Sequence, residues 1–167
     1  MRVVFSHGLE STPQGTKARR FATIAARRGV AFEAIDYRGI ADVGVRVEKL
    51  AAAVSGRAEP LLFVGSSVGG HVATAVAGTR PVAGLFLIAP AFYMPGYEAL
   101  TPAPPSCRTV IVHGWRDAVV PVDNVIRFAR NAGATLHVVD DEHRLLERLD
   151  EVVRYFEDFL DELTPRG

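Results

Sequence analysis

Cysteine is nearly absent: Cys107 is the only one in 167 residues. A single thiol excludes an internal disulfide, and with no cysteine pair and no His-Glu-x-x-His no spacing resembles a metal site, so neither metal nor cofactor is expected. Charge of one sign is not in excess either. The sequence carries 19 Lys plus Arg against 19 Asp plus Glu, which lacks the basic footprint of a general nucleic-acid binder, so no nucleic-acid partner is expected. The nearest approach to one, Arg19-Arg20 and Arg27-Arg28, falls on the polar face of an amphipathic helix and reads as solvated surface. Nowhere do about 18 apolar residues run together, so no membrane-spanning helix is expected. Met1-Arg2 leads straight into the strand-like Val3-Val4-Phe5 with no basic leader or apolar signal core, and with the cysteine usage this leans towards a cytoplasmic location. No repeat, low-complexity tract or second composition interrupts the chain, and one domain over residues 1–167 is expected.

What is present is alternation. Hydrophobic residues make up 49% of the chain, enough for a sizeable core, and they fall in short β-branched-rich runs separated by helix-length segments. Strands are expected at Val3–Ser6, Phe32–Tyr37, Leu61–Gly65, Gly84–Ala89, Thr109–His113 and Leu136–Asp140. Helices are expected at about Gln14–Arg28, Asp42–Ser55, Val68–Gly78, Val122–Asn131 and Leu145–Leu163, with Gly29, Gly56 and Gly133 as stops and Pro121 in the first turn of the fourth. Right-handed crossovers then give an α/β fold of three layers, a doubly wound open sheet of about six parallel strands in the order 2-1-3-4-5-6. The connection between the fourth and fifth strands is the exception. Pro95, Pro102, Pro104 and Pro105 interrupt any long helix there, while Phe92, Tyr93, Met94 and Tyr97 argue against disorder.

The most informative stretch runs Leu61-Leu62-Phe63-Val64-Gly65-Ser66-Ser67-Val68-Gly69-Gly70-His71. A buried strand ends in Gly-x-Ser-x-Gly and a small-residue helix starts at once, which is the context of a nucleophile elbow. Ser67 then sits in a strained turn above the carboxyl edge of the sheet, and Gly65 and Gly69 let strand and helix approach. Ser66 has the same chemistry in the wrong register. A tightly packed or phosphate-binding Gly-rich turn is the plainer alternative.

A serine hydroxyl is a poor nucleophile unless an imidazole takes its proton and an acid orients that imidazole. The chain order Ser, acid, His selects an acid after the fifth strand and a histidine after the sixth. His143 is the only histidine beyond the sixth strand, and Asp117 follows the fifth in His113-Gly114-Trp115-Arg116-Asp117. Asp123, a favourable charge near a helix start, and Asp141, too close in sequence to His143, are the rivals. His71, His113 and His137 read as packing, turn and strand residues. The N–H of Val68 and that of Leu9, after Gly8 in the first loop, are expected to form an oxyanion hole, since the first and third strands flank the switch point. Phe92, Tyr93, Met94 and Tyr97, with His7 and Trp115, are expected to line the substrate pocket, or the aromatics to form a core cluster under a long loop.

These residues resemble the α/β-hydrolase superfamily, in particular its small lidless bacterial esterases of the YqiA-like kind. The likeness spans nearly the whole chain. It rests on His7-Gly8-Leu9-Glu10-Ser11-Thr12-Pro13 with Lys17-Ala18, on Gly65 to Gly70, on His113 to Asp117 with Val120-Pro121, on Glu142-His143-Arg144, and on Asp36-Tyr37-Arg38-Gly39. The resemblance implies a minimal form of that fold without its first two strands and without a cap domain. It also implies a serine hydrolase of carboxylesterase or thioesterase type, with Ser67, Asp117 and His143 as triad and a small-molecule ester or thioester as substrate. A binding protein on the same scaffold, or a lyase, perhydrolase or peptidase using the same triad, are the alternatives.

Overall fold

The protein, described here from a computed structural model over residues 1–164, is built on strands that are apolar at successive positions and so bury both faces. The elements are β1 (Arg2–Ser6), α1 (Thr16–Arg27), β2 (Ala31–Ile35), α2 (Val43–Ala53), β3 (Leu61–Ser66), α3 (Val68–Ala77), β4 (Gly84–Ile88), β5 (Thr109–Gly114), α4 (Val122–Ala132), β6 (Thr135–Val139) and α5 (Leu149–Leu163). All strand pairs are parallel and the sheet order is β2-β1-β3-β4-β5-β6. Period-two alternation divides the core in two. Val3, Phe5, Val64 and Phe86 face α1 and α5, where they meet Phe21, Phe156 and Phe159, while Val4, Phe63, Leu85 and Ile111 face α2, α3 and α4. Phe86 lies edge-on to both Phe21 and Phe156, a ring geometry worth roughly 1 kcal/mol per pair beyond area burial. Among the described residues no helix is long and apolar enough to cross a membrane.

Several boundaries depart from the sequence expectation for local reasons. β2 ends at Ile35 rather than Tyr37 because the Tyr37 N–H is donated to His7 Nε2 at 3.0 Å instead of to the ladder. Gly15, not Gln14, caps α1, and Pro121 stands at the N-cap of α4 just outside its first turn. α5 begins at Leu149, four residues late. The Asp141 carboxylate accepts the N–H of Glu142 and of Arg148, both at 2.7 Å, and so closes a loop in which Leu145 is fully buried at φ 49°. One arginine of each pair is more than solvated surface: Arg28, at the C-cap of α1, pairs with Glu157 at 2.8 Å and with Asp161, and Arg20 with Asp150 at 2.5 Å, tying α1 to α5. Between β4 and β5 lies the only helix-free crossover among the described residues apart from one 3-10 turn at Glu98–Leu100.

Candidate active site

β3 delivers Ser67 to the carboxyl edge of the sheet, and the turn that follows is strained. Ser67 has φ 54° and ψ −123°, a backbone conformation that L side chains rarely adopt and that costs on the order of 1–3 kcal/mol. The small residues around it are sterically required. A Cβ on Gly65 would stand 2.5 Å from the Gly70 Cα, and one on Gly69 would overlap the Ser6 carbonyl oxygen. The elbow is pinned on its other side too, since the Ser67 N–H is donated to Ile88 and the Ser67 carbonyl accepts the N–H of Ala91.

His143, in the loop after β6, brings Nε2 to 2.9 Å from the Ser67 Oγ and Nδ1 to 2.7 Å from the Asp117 Oδ2. The Asp117 carboxylate accepts at Nδ1, which assigns the proton there and leaves Nε2 free to accept from the serine hydroxyl. Asp117 is itself fixed: its side chain is fully buried, and Oδ1 accepts the N–H of Val119 and of Val120, each at 2.8 Å. Burial alone would push its carboxyl up, but the His143 hydrogen bond and those two N–H groups outweigh it and hold the group below its ordinary value. An ionised Asp117 behind a neutral imidazole is an arrangement that can draw a proton from Ser67. A Cβ on Gly114 would overlap the Asp141 carbonyl, so this glycine lets the loops after β5 and β6 close on each other.

The loop after β1 crosses beside the serine. A Cβ on Gly8 would lie 3.3 Å from the Ser67 Cβ. Leu9 follows at the surface, and Val68 is the first residue of α3, where a backbone N–H has no helical acceptor. Neither N–H is donated to a backbone acceptor among the described residues. The loop is held from below by buried polar groups. His7 Nδ1 donates to the Gly8 carbonyl at 2.7 Å, and Nε2 accepts from Tyr37. Arg46, 2% exposed, donates to the carbonyls of His7 at 3.1 Å and Ile40 at 2.7 Å and lies 5.0 Å over the Tyr37 ring. Burial holds both His7 and Arg46 below their ordinary pKa values.

Beside Ser67 and His143 opens a cavity of about 400 Å³, lined among others by Leu9, Ser11, Lys17, Val119, Arg144 and Leu146. The residues expected in the pocket lie elsewhere. His7 and Phe92 are fully buried, the latter stacked on Phe128 at 4.0 Å. Tyr93 and Met94 pack half-buried on the same core cluster, and Tyr97 and Trp115 are exposed at 66% and 58%. The reason is that Asn124 of α4 donates to the carbonyls of Phe92 and Tyr93, drawing that loop down onto α4 and away from the serine. Of the lining that was not foreseen, Ser11 lies in the first loop, Lys17 just after it, and Arg144 and Leu146 flank His143, so adjacency to those two segments was the available signal. Asp123 sits in the first turn of α4 and Asp141 is occupied by backbone N–H groups. His71 has one ring nitrogen 3.4 Å from the Ala91 carbonyl, and His137 stacks on Tyr155. Among the described residues no group of His, Cys, Asp and Glu is arranged to hold a metal ion.

Comparison with known proteins agrees with this fold. The profile of an uncharacterised protein family, UPF0227, matches residues 2–103. A solved protein of the α/β-hydrolase superfamily from Xanthomonas campestris pv. campestris is 30% identical, with a TM-score of 0.87 over 96% of this chain and 98% of that one. Two further structures share the fold at lower identity. The α/β-hydrolase domain-containing protein 10 from mouse is 22% identical with a TM-score of 0.82, covering 96% of this chain and 90% of that one. Est1E from Butyrivibrio proteoclasticus is 16% identical with a TM-score of 0.86, covering 98% and 88%. No curated protein matches the sequence.

Proposed function

Because the chain belongs to the UPF0227 family, within the α/β-hydrolase superfamily, we propose that it is a serine hydrolase cleaving small acyl or aryl esters or acyl thioesters through an acyl-enzyme. One observation carries the reading: Ser67, on a strained turn, stands 2.9 Å from His143, which stands 2.7 Å from the buried Asp117. In the first step His143 Nε2 takes the Ser67 proton as Oγ attacks the acyl carbonyl. The resulting oxyanion is held by the N–H groups of Leu9 and Val68, each such donor being worth roughly 3 kcal/mol in the transition state. Collapse expels the alcohol or thiol, which leaves with the proton from His143. Water, deprotonated by the same imidazole, attacks the acyl-enzyme; the second collapse breaks the ester bond to Oγ, returns the proton to Ser67 and releases the acid.

A fluorophosphonate probe tests the assignment. Mass spectrometry of the purified protein is expected to find a single adduct on Ser67, absent from Ser67→Ala and strongly slowed in His143→Ala. A folded protein that forms no adduct, or an adduct on another residue, refutes it.

A further inference from the structure

Cations that approach another element are paired across most of this fold: Arg28 with Glu157, Arg57 with Glu33, Arg116 with Asp140 and Glu147. Two that line the cavity beside Ser67 are not. Among the described residues neither the Lys17 nor the Arg144 side chain makes a hydrogen bond or an ion pair, although acidic residues stand close to Arg144 in sequence. They come from different elements, Lys17 from the first turn of α1 and Arg144 from the loop that carries His143. Burial first and the Arg144 charge second push Lys17 down to about 8, against the pull of Asp141. The Asp141 carboxylate is held in its loop by the two backbone N–H groups it accepts and forms no ion pair with either cation.

We infer that Lys17 and Arg144 form a subsite for an anionic group, a carboxylate or phosphate, on the ester or thioester that Ser67 attacks. This deepens the serine-hydrolase reading and rests on it. Two unpaired like charges beside one cavity repel, and an anion placed between them relieves that repulsion while taking hydrogen bonds from both. The remaining lining is compatible with such a ligand. Ser11, Thr12 and Thr16 add hydroxyl groups, and the only carboxylate in the lining is the exposed Glu10. Leu9, Val119 and Leu146, each exposed, form an apolar rim against which the uncharged part of the substrate would rest. The substrate class is therefore an acidic ester, charged on one side of the scissile bond and apolar on the other.

The test uses two matched pairs of esters, so that it also reports which side of the bond carries the charge. Monophenyl glutarate is compared with phenyl 5-oxohexanoate for charge on the acyl side, and 4-acetoxybenzoate with 4-acetoxybenzamide for charge on the alcohol side, after subtraction of spontaneous hydrolysis. In one pair the charged ester is expected to have a kcat/KM at least about tenfold above its neutral partner, as hydrogen bonds to charged groups predict. That ratio is expected to collapse towards unity in Lys17→Met and in Arg144→Gln and to rise in Glu10→Gln. Reading a ratio within each variant removes any general loss of folded protein. Ratios at or below unity in both pairs, or a ratio that survives both substitutions, overturn the inference while leaving the serine chemistry intact. If none of the four esters is turned over, calorimetry with glutarate and with inorganic phosphate on folded Ser67→Ala decides. Binding that Arg144→Gln abolishes supports the subsite, and no binding at millimolar ligand overturns it.

Discussion

Two loops leave the carboxyl edge of the sheet on either side of Ser67, and they are built from opposite materials. The loop after β1, residues 7–15, is held by buried polar groups: the His7 ring between the Gly8 carbonyl and the Tyr37 N–H, and the Arg46 guanidinium on the His7 carbonyl. The loop after β4, residues 89–108, is held largely through its aromatic side chains, Phe92 stacked on Phe128 and Tyr93 under the Arg127 guanidinium, with Asn124 donating to two of its carbonyls. The polar loop borders the cavity; the aromatic loop turns away from it and grips the elbow through the Ala91 N–H. Aromatic content marks where a chain can bury itself, and a side chain spent on a core is not available to a substrate. β1 and β4 both flank β3, so adjacency alone does not choose between the loops; it is the chain leaving β1 that packs Gly8 against Ser67 and lines the cavity.

If the aromatic loop is scaffold and the polar loop is site, truncation of each separates stability from chemistry. Phe92→Ala carries the largest expected effect, a loss of about 3–5 kcal/mol, because it empties a fully buried ring position. The urea midpoint should fall at unchanged slope, and the protein that remains folded should keep its KM for phenyl acetate. A Phe92→Ala protein of full stability and raised KM reverses the assignment of the two loops. Arg46→Met is the counterpart. It removes the donor to the His7 carbonyl and the one that ties this loop to Ile40, so Gly8 and Leu9 are free to shift, and misplacement of about 1 Å costs roughly 100-fold in kcat. Single-turnover kinetics with phenyl acetate checks it, and a kcat equal to that of the unsubstituted protein shows that Arg46 does not hold the loop.

The polar loop also predicts sensitivity to acid. Burial keeps His7 below its ordinary value, and His71, His113 and His137 are lowered by burial as well. The unfolded chain therefore binds protons before the folded one does. Stability is present in full above about pH 6.5 and is lost as pH falls from there through the lower folded values, at up to about 1.4 kcal/mol per pH unit for each histidine. His7→Gln, whose side-chain oxygen can accept the Tyr37 N–H, should make the decline between pH 7 and pH 5 shallower by as much as one histidine's share. Urea midpoints across that window measure it, and an unchanged slope means His7 does not titrate with unfolding.

How much of this was legible in the sequence follows the range of the interactions involved. The elbow was legible because its constraint is local: Gly65 and Gly69 are small for steric reasons that operate within a few residues and against one neighbouring strand. Asp117 and His143 were named because strand order alone brings the ends of β5 and β6 to the same edge, and in the structure both meet at His143 Nδ1. The doubly wound sheet and its strand order were legible for the same reason, that apolar runs alternating with amphipathic segments allow few parallel arrangements. The pocket was not, since where Phe92 points depends on Asn124 and Phe128, more than 30 positions further along the chain. The late start of α5 depends on a carboxylate, Asp141, that pattern treats as one acid among three. Arg46 sits on the second expected helix, and its burial is set by two carbonyls from other segments, which the sequence does not bring together.

The smallest expected effect is the sharpest check on the division between the loops. Tyr97 and Trp115 are the most exposed aromatic side chains of the carboxyl edge, at 66% and 58%, and neither lines the cavity. Surface substitutions of this kind change stability by no more than about 0.5 kcal/mol. Tyr97→Ser and Trp115→Ser should therefore leave the urea midpoint in place and leave kcat/KM unchanged across phenyl esters of increasing acyl length. The series matters because a short acyl chain would not reach a ring on the rim, whereas a long one would. If KM rises only as the acyl chain lengthens, the aromatic loop (in Tyr97→Ser) or the loop after β5 (in Trp115→Ser) reaches the substrate after all, and the acyl chain runs towards β4 and β5 instead of into the cavity beside α1.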